Sequence, residues 1–158
     1  MSFIYYFISK INTFLKYYTH RRQKKVFETI FKNSSCSVGY NLKYYHPERI
    51  HLGNNLFIGD NVLMNSGKGG SISIGDKTSI AEGVKILSWV KEMDEKNSEI
   101  RVIKKDVVIG KYCRIGYNVI IMPGVTIGES AKVSPSSVVY SDVPAKSVAM
   151  GNPAQIIR

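Results

Sequence analysis

The chain runs to 158 residues, 44% of them hydrophobic and only five of them proline. That is enough for one domain with a continuous core, and too apolar for a disordered segment. Its formal charge of +10 is lopsided: residues 1–32 carry +6, from seven Lys and Arg set against Glu28, which leaves +4 for the other 126 residues. A basic arm on a nearly balanced body suits an anionic surface as partner and argues against a nucleic-acid-binding domain. Cys36 and Cys113 match no zinc or redox spacing, so two buried free thiols in a reducing compartment are expected, with no metal site.

Residues 1–35 form the first element, a basic amphipathic helical arm. Phe3, Ile4, Phe7, Ile8, Ile11, Phe14, Leu15 and Tyr18 recur at helical spacing on one face, and Lys10, Asn12, Thr13 and Lys16 fall off it. Lys10 and Lys16 interrupt the apolar run too early for a membrane span, which takes about 20 residues. The charges follow the apolar stretch and no small-residue cleavage site appears, so it does not read as a signal peptide. Two readings stand. The arm lies on the anionic inner face of the cytoplasmic membrane, making a cytoplasmic protein peripheral there, or it caps the open end of the domain that follows.

From residue 36 to residue 140 the apolar residues step by six. Ile50-His-Leu52-Gly53 and Leu56-Phe-Ile58-Gly59 repeat at that spacing, as do Ile72-Ser-Ile74-Gly75, Thr78-Ser-Ile80 and Val84-Lys-Ile86. From Ile103 every step opens on Ile or Val, at 103, 109, 115, 121, 127, 133 and 139, with Val119, Val125 and Ala131 as small partners. No α-helix keeps a period of six over 42 residues, whereas a β-solenoid does, each step being one short strand and one tight corner. Alternate strand residues then face the interior, and the glycines are expected where corners take unusual backbone angles. The register breaks between Ile58 and Ile74 and between Ile86 and Ile103, which marks loop insertions near 65–70 and 88–102 on one side, where solenoids commonly bind ligands. The Gly-rich stretch in the first insertion lacks the ending of a Walker loop. Residues 141–158 leave the period and are expected to fold back over the last coil.

The run IGKYCRIGYNVIIMPGVTIG, then SVVYSDVPAKSV, then GNPAQIIR, resembles the hexapeptide-repeat acyltransferases, over roughly residues 50–158. Within that family it is most similar to the branch that acetylates sugars in galactosides, maltose, nodulation factors, O-antigen, capsule and colanic acid. The resemblance implies a left-handed parallel β-helix of three strands per coil, a homotrimer, and acetyl-CoA held in the groove between neighbouring subunits. Matched motif by motif, it puts the donor contacts at Tyr117, Pro135, Tyr140, Ser141, Gln155 and Arg158. Many relatives carry Thr-Lys where Tyr140-Ser141 stands and Arg where Gln155 stands. Grip on the donor's phosphates would then fall to Lys146 or Arg158.

Acetyl transfer from a thioester to a hydroxyl needs a base for the hydroxyl proton. The family places a histidine in the loop after the Ile86 step, written as two histidines separated by one residue. Here Trp89 and Lys91 stand in those positions, and no histidine follows His51. A lysine at its ordinary pKa is neutral in only about 0.04% of molecules at pH 7, and lowering it by roughly three units costs about 4 kcal/mol. A carboxylate such as Glu92 or Asp94 is ionised already. The catalytic candidates are therefore Lys91, Asp94 and Trp89. Asn65, in the first insertion, is the candidate contact for the acceptor hydroxyl. His51 alternates away from the core, and His46 precedes Pro47 in an extended lead-in.

The residues and the resemblance together lead to acetyl-CoA-dependent O-acetylation of a sugar in a cell-surface glycan or its lipid-linked precursor. The alternative is a non-catalytic trimeric scaffold that has lost the usual base. A solenoid carbonic anhydrase needs three zinc-ligating histidines, and only His51 lies within the repeats.

Overall fold

The computed structural model describes residues 25–27, 35–67, 69–93 and 99–157. The arm before residue 25, Asp94 and Arg158 lie outside the described residues, and so do the expectations that rest on them. Among the described residues no helix is long and apolar enough to cross a membrane. The chain winds as the left-handed parallel β-helix that the family resemblance implies, with three faces of parallel strands.

The first face stacks Ser37–Val38, Phe57–Ile58, Ser79–Ile80, Arg114–Ile115, Lys132–Val133 and Val148–Gly151 in parallel. The second stacks Lys43–Tyr45, Leu63–Asn65, Lys85–Leu87, Ile120–Ile121 and Val138–Val139. The third stacks Ile50–Leu52, Ile72–Ile74, Val107–Ile109 and Thr126–Ile127, and a bridge to Val143 continues it. Five full turns thus lie over one another, and the last strand, Ala154–Ile156, turns back antiparallel onto Val148–Gly151.

Strand alternation turns every second side chain inward, and these stack from turn to turn into columns. Ile58, Ile80, Ile115, Val133 and Ala149 form one column, and Met64, Ile86, Ile121 and Val139 another. Each such fully buried aliphatic side chain contributes about 1.5–3 kcal/mol, so the repeats carry the stability. A further column narrows along the axis from Leu56 through Thr78 and Cys113 to Ala131, all buried. Its polar members are satisfied: the Thr78 hydroxyl donates to the Gly110 carbonyl at 2.8 Å, and the Cys113 thiol donates to the Gly128 carbonyl at 3.1 Å. Both cysteines are free and buried, and desolvation pushes each thiol's pKa up. At the N-terminal end Phe27 is buried and meets Tyr44 edge to face, with ring centroids 6.5 Å apart.

The repeat glycines serve a different purpose from the one expected of them. Positive φ falls two residues later, at Asn55, Asn61, Lys77, Tyr112, Asn118 and Ser130. Gly53, Gly59, Gly75, Gly110, Gly116 and Gly128 are required by crowding between coils. A Cβ on Gly110 would sit 2.8 Å from the Glu129 amide nitrogen in the next turn, closer than side-chain carbons approach backbone.

Candidate active site

Three successive turns enlarge the same corner, between the second and third faces. The connections run from Tyr45 to Ile50, from Asn65 to Ile72 and from Leu87 to Val107, whereas the following turn needs only Met122 to Val125. The longest connection carries an antiparallel strand pair (the hairpin), Trp89–Met93 with Ile100–Lys104. Its alternating Trp-Val-Lys-Glu-Met and Ile-Arg-Val-Ile-Lys segments have strand character, which the charge of the intervening residues obscured. The three stacked corners and the hairpin enclose a cleft of about 640 Å³. Tyr45, His46, Asn65 and Trp89 line it, Gly67 and Val102 form part of its wall, and Lys43 and Lys104 bring cationic side chains to it.

Buried serines hold these corners in place. The Ser66 hydroxyl is shared between the Tyr45 carbonyl at 2.6 Å and the His46 carbonyl at 2.9 Å. One turn along, the Ser88 hydroxyl donates to the Ser66 carbonyl at 2.6 Å. Both side chains are fully buried, where an unpaired hydroxyl costs about 1–3 kcal/mol, so the pairing ties the corners together. Asp106 closes the outer end: one carboxylate oxygen accepts from both the Ser71 amide and the Ser71 hydroxyl at 2.8 Å. Those two bonds, the hydroxyl's first, hold its carboxyl below the usual carboxylate range.

Trp89 is half-buried, and its indole nitrogen donates to Asn65 Oδ1 at 2.7 Å. That bond fixes the amide's orientation. Among the described residues it leaves the Asn65 NH₂ group without a protein partner, as a donor toward an acceptor oxygen. Lys91 shares the hairpin face of Trp89 but is exposed, sits opposite Val102 and does not line the cleft. Glu92 is exposed on the opposite hairpin face. The structure thus joins Trp89 to Asn65 and leaves Lys91 apart. His51 is exposed on the third face opposite Ser73, away from the cleft.

Sequence reasoning missed Tyr45 and His46 as cleft residues. His46 is not extended: it has φ 55° and ψ 61° and opens a short 3-10 turn, Pro47–Arg49. The available signal was the spacing, because Pro47–Arg49 lengthens the first corner just where later turns carry their insertions.

The donor candidates flank the second face. Tyr117 and Pro135 stack at its edge with the first face, where a Cβ on Gly116 would meet the Pro135 ring. Tyr140 and Ser141 follow Val139 at the other edge, on the side of the cleft and two turns beyond the hairpin. Neighbouring turns lie about 4.8 Å apart, so about 10 Å of surface separates them along the axis. Gln155 is exposed on the folded-back strand. Exposed rings at Tyr117 and Tyr140, the apolar Ile120 and Val138 between them, and the Ser141 hydroxyl fit a donor with a long mixed apolar and amide arm. The ammonium group of Lys85, exposed on the second face, suits its phosphates, whereas Lys146 sits at the corner between the third and first faces, away from the second.

The family described as Bacterial transferase hexapeptide (six repeats) matches residues 102–141. The chain is 30% identical over 148 residues to the galactoside O-acetyltransferase of Escherichia coli K12, covering 89% of this chain and 72% of that protein. A hexapeptide-repeat-containing acetyltransferase of Vibrio cholerae O1 biovar eltor, solved in complex with acetyl coenzyme A, superposes with a TM-score of 0.78 at 30% identity, covering 88% of this chain and 76% of that one. A maltose O-acetyltransferase from Clostridium difficile 630 superposes with a TM-score of 0.75, also at 30% identity, covering 87% and 74%.

Proposed function

This chain belongs to the hexapeptide-repeat acetyltransferases, and from that premise we propose that it transfers acetyl from acetyl-CoA to a hydroxyl of a sugar, in a cell-surface glycan or its lipid-linked precursor. The observation that carries the reading is the cleft built from three stacked corners, with the Trp89–Asn65 pair at its wall. Aromatic side chains at Tyr45 and Trp89 suit the C–H face of a sugar ring, and the Asn65 amide offers a donor to a hydroxyl. Lys43 and Lys104 favour an acceptor that carries negative charge.

In this reading three copies pack side by side about a common threefold axis, and acetyl-CoA lies along the second face between copies, against Tyr117, Pro135, Tyr140, Ser141, Gln155 and Arg158. The basic arm of residues 1–32 brings the trimer to an anionic membrane surface, where a lipid-linked acceptor would be found. The family's histidine base is replaced in the hairpin by Trp89 and Lys91, and Trp89 there serves to orient Asn65. A bare scaffold would have no use for an ordered cleft of this composition, so transfer is the better account.

Calorimetric titration with acetyl-CoA, with free CoA for comparison, tests the proposal. Micromolar binding at about one site per subunit is expected, followed by acetylation of one member of a sugar panel. Absence of binding at millimolar ligand, with a trimer established by light scattering, would overturn it.

A further inference from the structure

We propose that His46, oriented by Glu48, is the base that takes the proton from the acceptor hydroxyl. The inference rests on the acetyl-transfer reading of the cleft and names the group that performs its proton transfer.

Three features lead to it. His46 is the histidine that lines the cleft, on the same corner as Asn65 and one turn away from it. Its Nδ1 lies 3.3 Å from Glu48 Oε1. A carboxylate only accepts, so a neutral imidazole that keeps this contact has its hydrogen on Nδ1 and its lone pair on Nε2, the tautomer that a base requires. The backbone is fixed as well. His46 is held at φ 55°, Pro47 follows it, and the buried Ser66 hydroxyl takes its carbonyl.

The same corner in the next two turns shows what that conformation does. Ser66 and Ser88 occupy the position after the strand end, as His46 does, and both turn inward and are fully buried. Neither has a positive φ. His46 does, and its ring stands in the cleft, not in the core. The other two corners of the solenoid carry the same angle at non-glycine residues such as Asn55, Asn61, Lys77 and Tyr112, and His46 is the non-glycine residue that has it at this corner among the described residues. Here it coincides with the placement of an imidazole ring in the cleft that Asn65 also lines.

The step balances with these groups alone. Asn65 NH₂ holds the acceptor oxygen, and Nε2 of His46 receives its proton as the oxygen bonds to the thioester carbon. The carbon–sulfur bond then breaks, and the departing CoA thiolate takes the proton back from the imidazolium. Imidazole suits both transfers, because one ring nitrogen can accept a proton and return it while the other stays bonded to its partner.

His46→Gly is the informative variant, since glycine adopts φ 55° freely and keeps the corner. Thiol release from acetyl-CoA would be followed with a panel of nitrophenyl glycosides as acceptors. The expected result is a fall in kcat of about 10²–10⁴-fold, with acetyl-CoA affinity and tryptophan emission unchanged and activity partly restored by added imidazole. Glu48→Gln should lower kcat by a smaller factor and leave donor affinity unchanged. If the wild-type protein transfers acetyl and H46G does so within about threefold, well below what loss of a base costs, the His46 assignment falls and the transfer reading stands. A drop in kcat that imidazole cannot restore also overturns the base. A wild-type protein that binds acetyl-CoA but acetylates nothing overturns both.

Discussion

Gly67→Ala would test how the cleft wall is built. Gly67 has φ 46°, and a Cβ added there would fall inside the contact distance of the Trp89 ring, 2.6 Å from its Nε1. Alanine in the left-handed region costs about 1–2 kcal/mol. The indole must also move, which breaks its bond to Asn65 and removes about 0.5–1.5 kcal/mol more. A total of roughly 1.5–3.5 kcal/mol is expected, visible as a lowered midpoint in thermal unfolding. The chain has a single tryptophan, so intrinsic fluorescence reports this ring and no other. Its emission should shift to the red as the indole leaves the cleft for water. Gly69→Ala is the control, because φ there is 111° and its Cβ would meet the Lys104 side chain, a flexible neighbour. It should cost stability without the red shift. Freed from the indole, the Asn65 amide can turn, so the acceptor KM should rise in G67A while acetyl-CoA affinity holds. An unchanged emission maximum and melting point in G67A would refute the packing of Trp89 over Gly67.

Ile121→Ala, at a fully buried position in the second-face column, should cost about 2–5 kcal/mol in chemical denaturation. Cys36 and Cys113 should resist a thiol reagent at mildly alkaline pH in the folded protein and react once it is unfolded, because both are buried and their pKa values are pushed up by desolvation. Rapid labelling of native protein would contradict that burial. The Asp106 carboxyl is held below its ordinary range by Ser71. Its contribution is therefore complete above the unfolded aspartate pKa near 3.9 and is lost as pH falls through the lower folded value. Asp106→Asn should flatten that acid limb of the melting curve, and an unaltered limb would contradict the clamp.

The repeats were readable because each turn repeats the same demand. Ile109, Ile115, Ile121 and Ile127 are buried at every sixth position, and that spacing is a property of the local chain. The interruption after Ile86 was equally plain, but its hairpin was not, since cross-strand pairing of Trp89 with Lys104 is decided by residues 15 apart. The purpose of the glycines that end the repeat strands is hidden from the sequence for a related reason. Gly110 is needed by Glu129 in the next turn, and a contact between turns leaves no mark on the local pattern.

Sequence alone determined the solenoid, its period, the sites of its insertions and the family to which the chain belongs, because burial repeats along the strand and the motifs are contiguous. Tertiary structure decided which side chains meet. It set Trp89 on Asn65, kept Lys91 out of the cleft and brought His46 into it. Those residues come from three different turns, and only stacking about 4.8 Å apart makes neighbours of positions that lie some 20 residues apart in the chain.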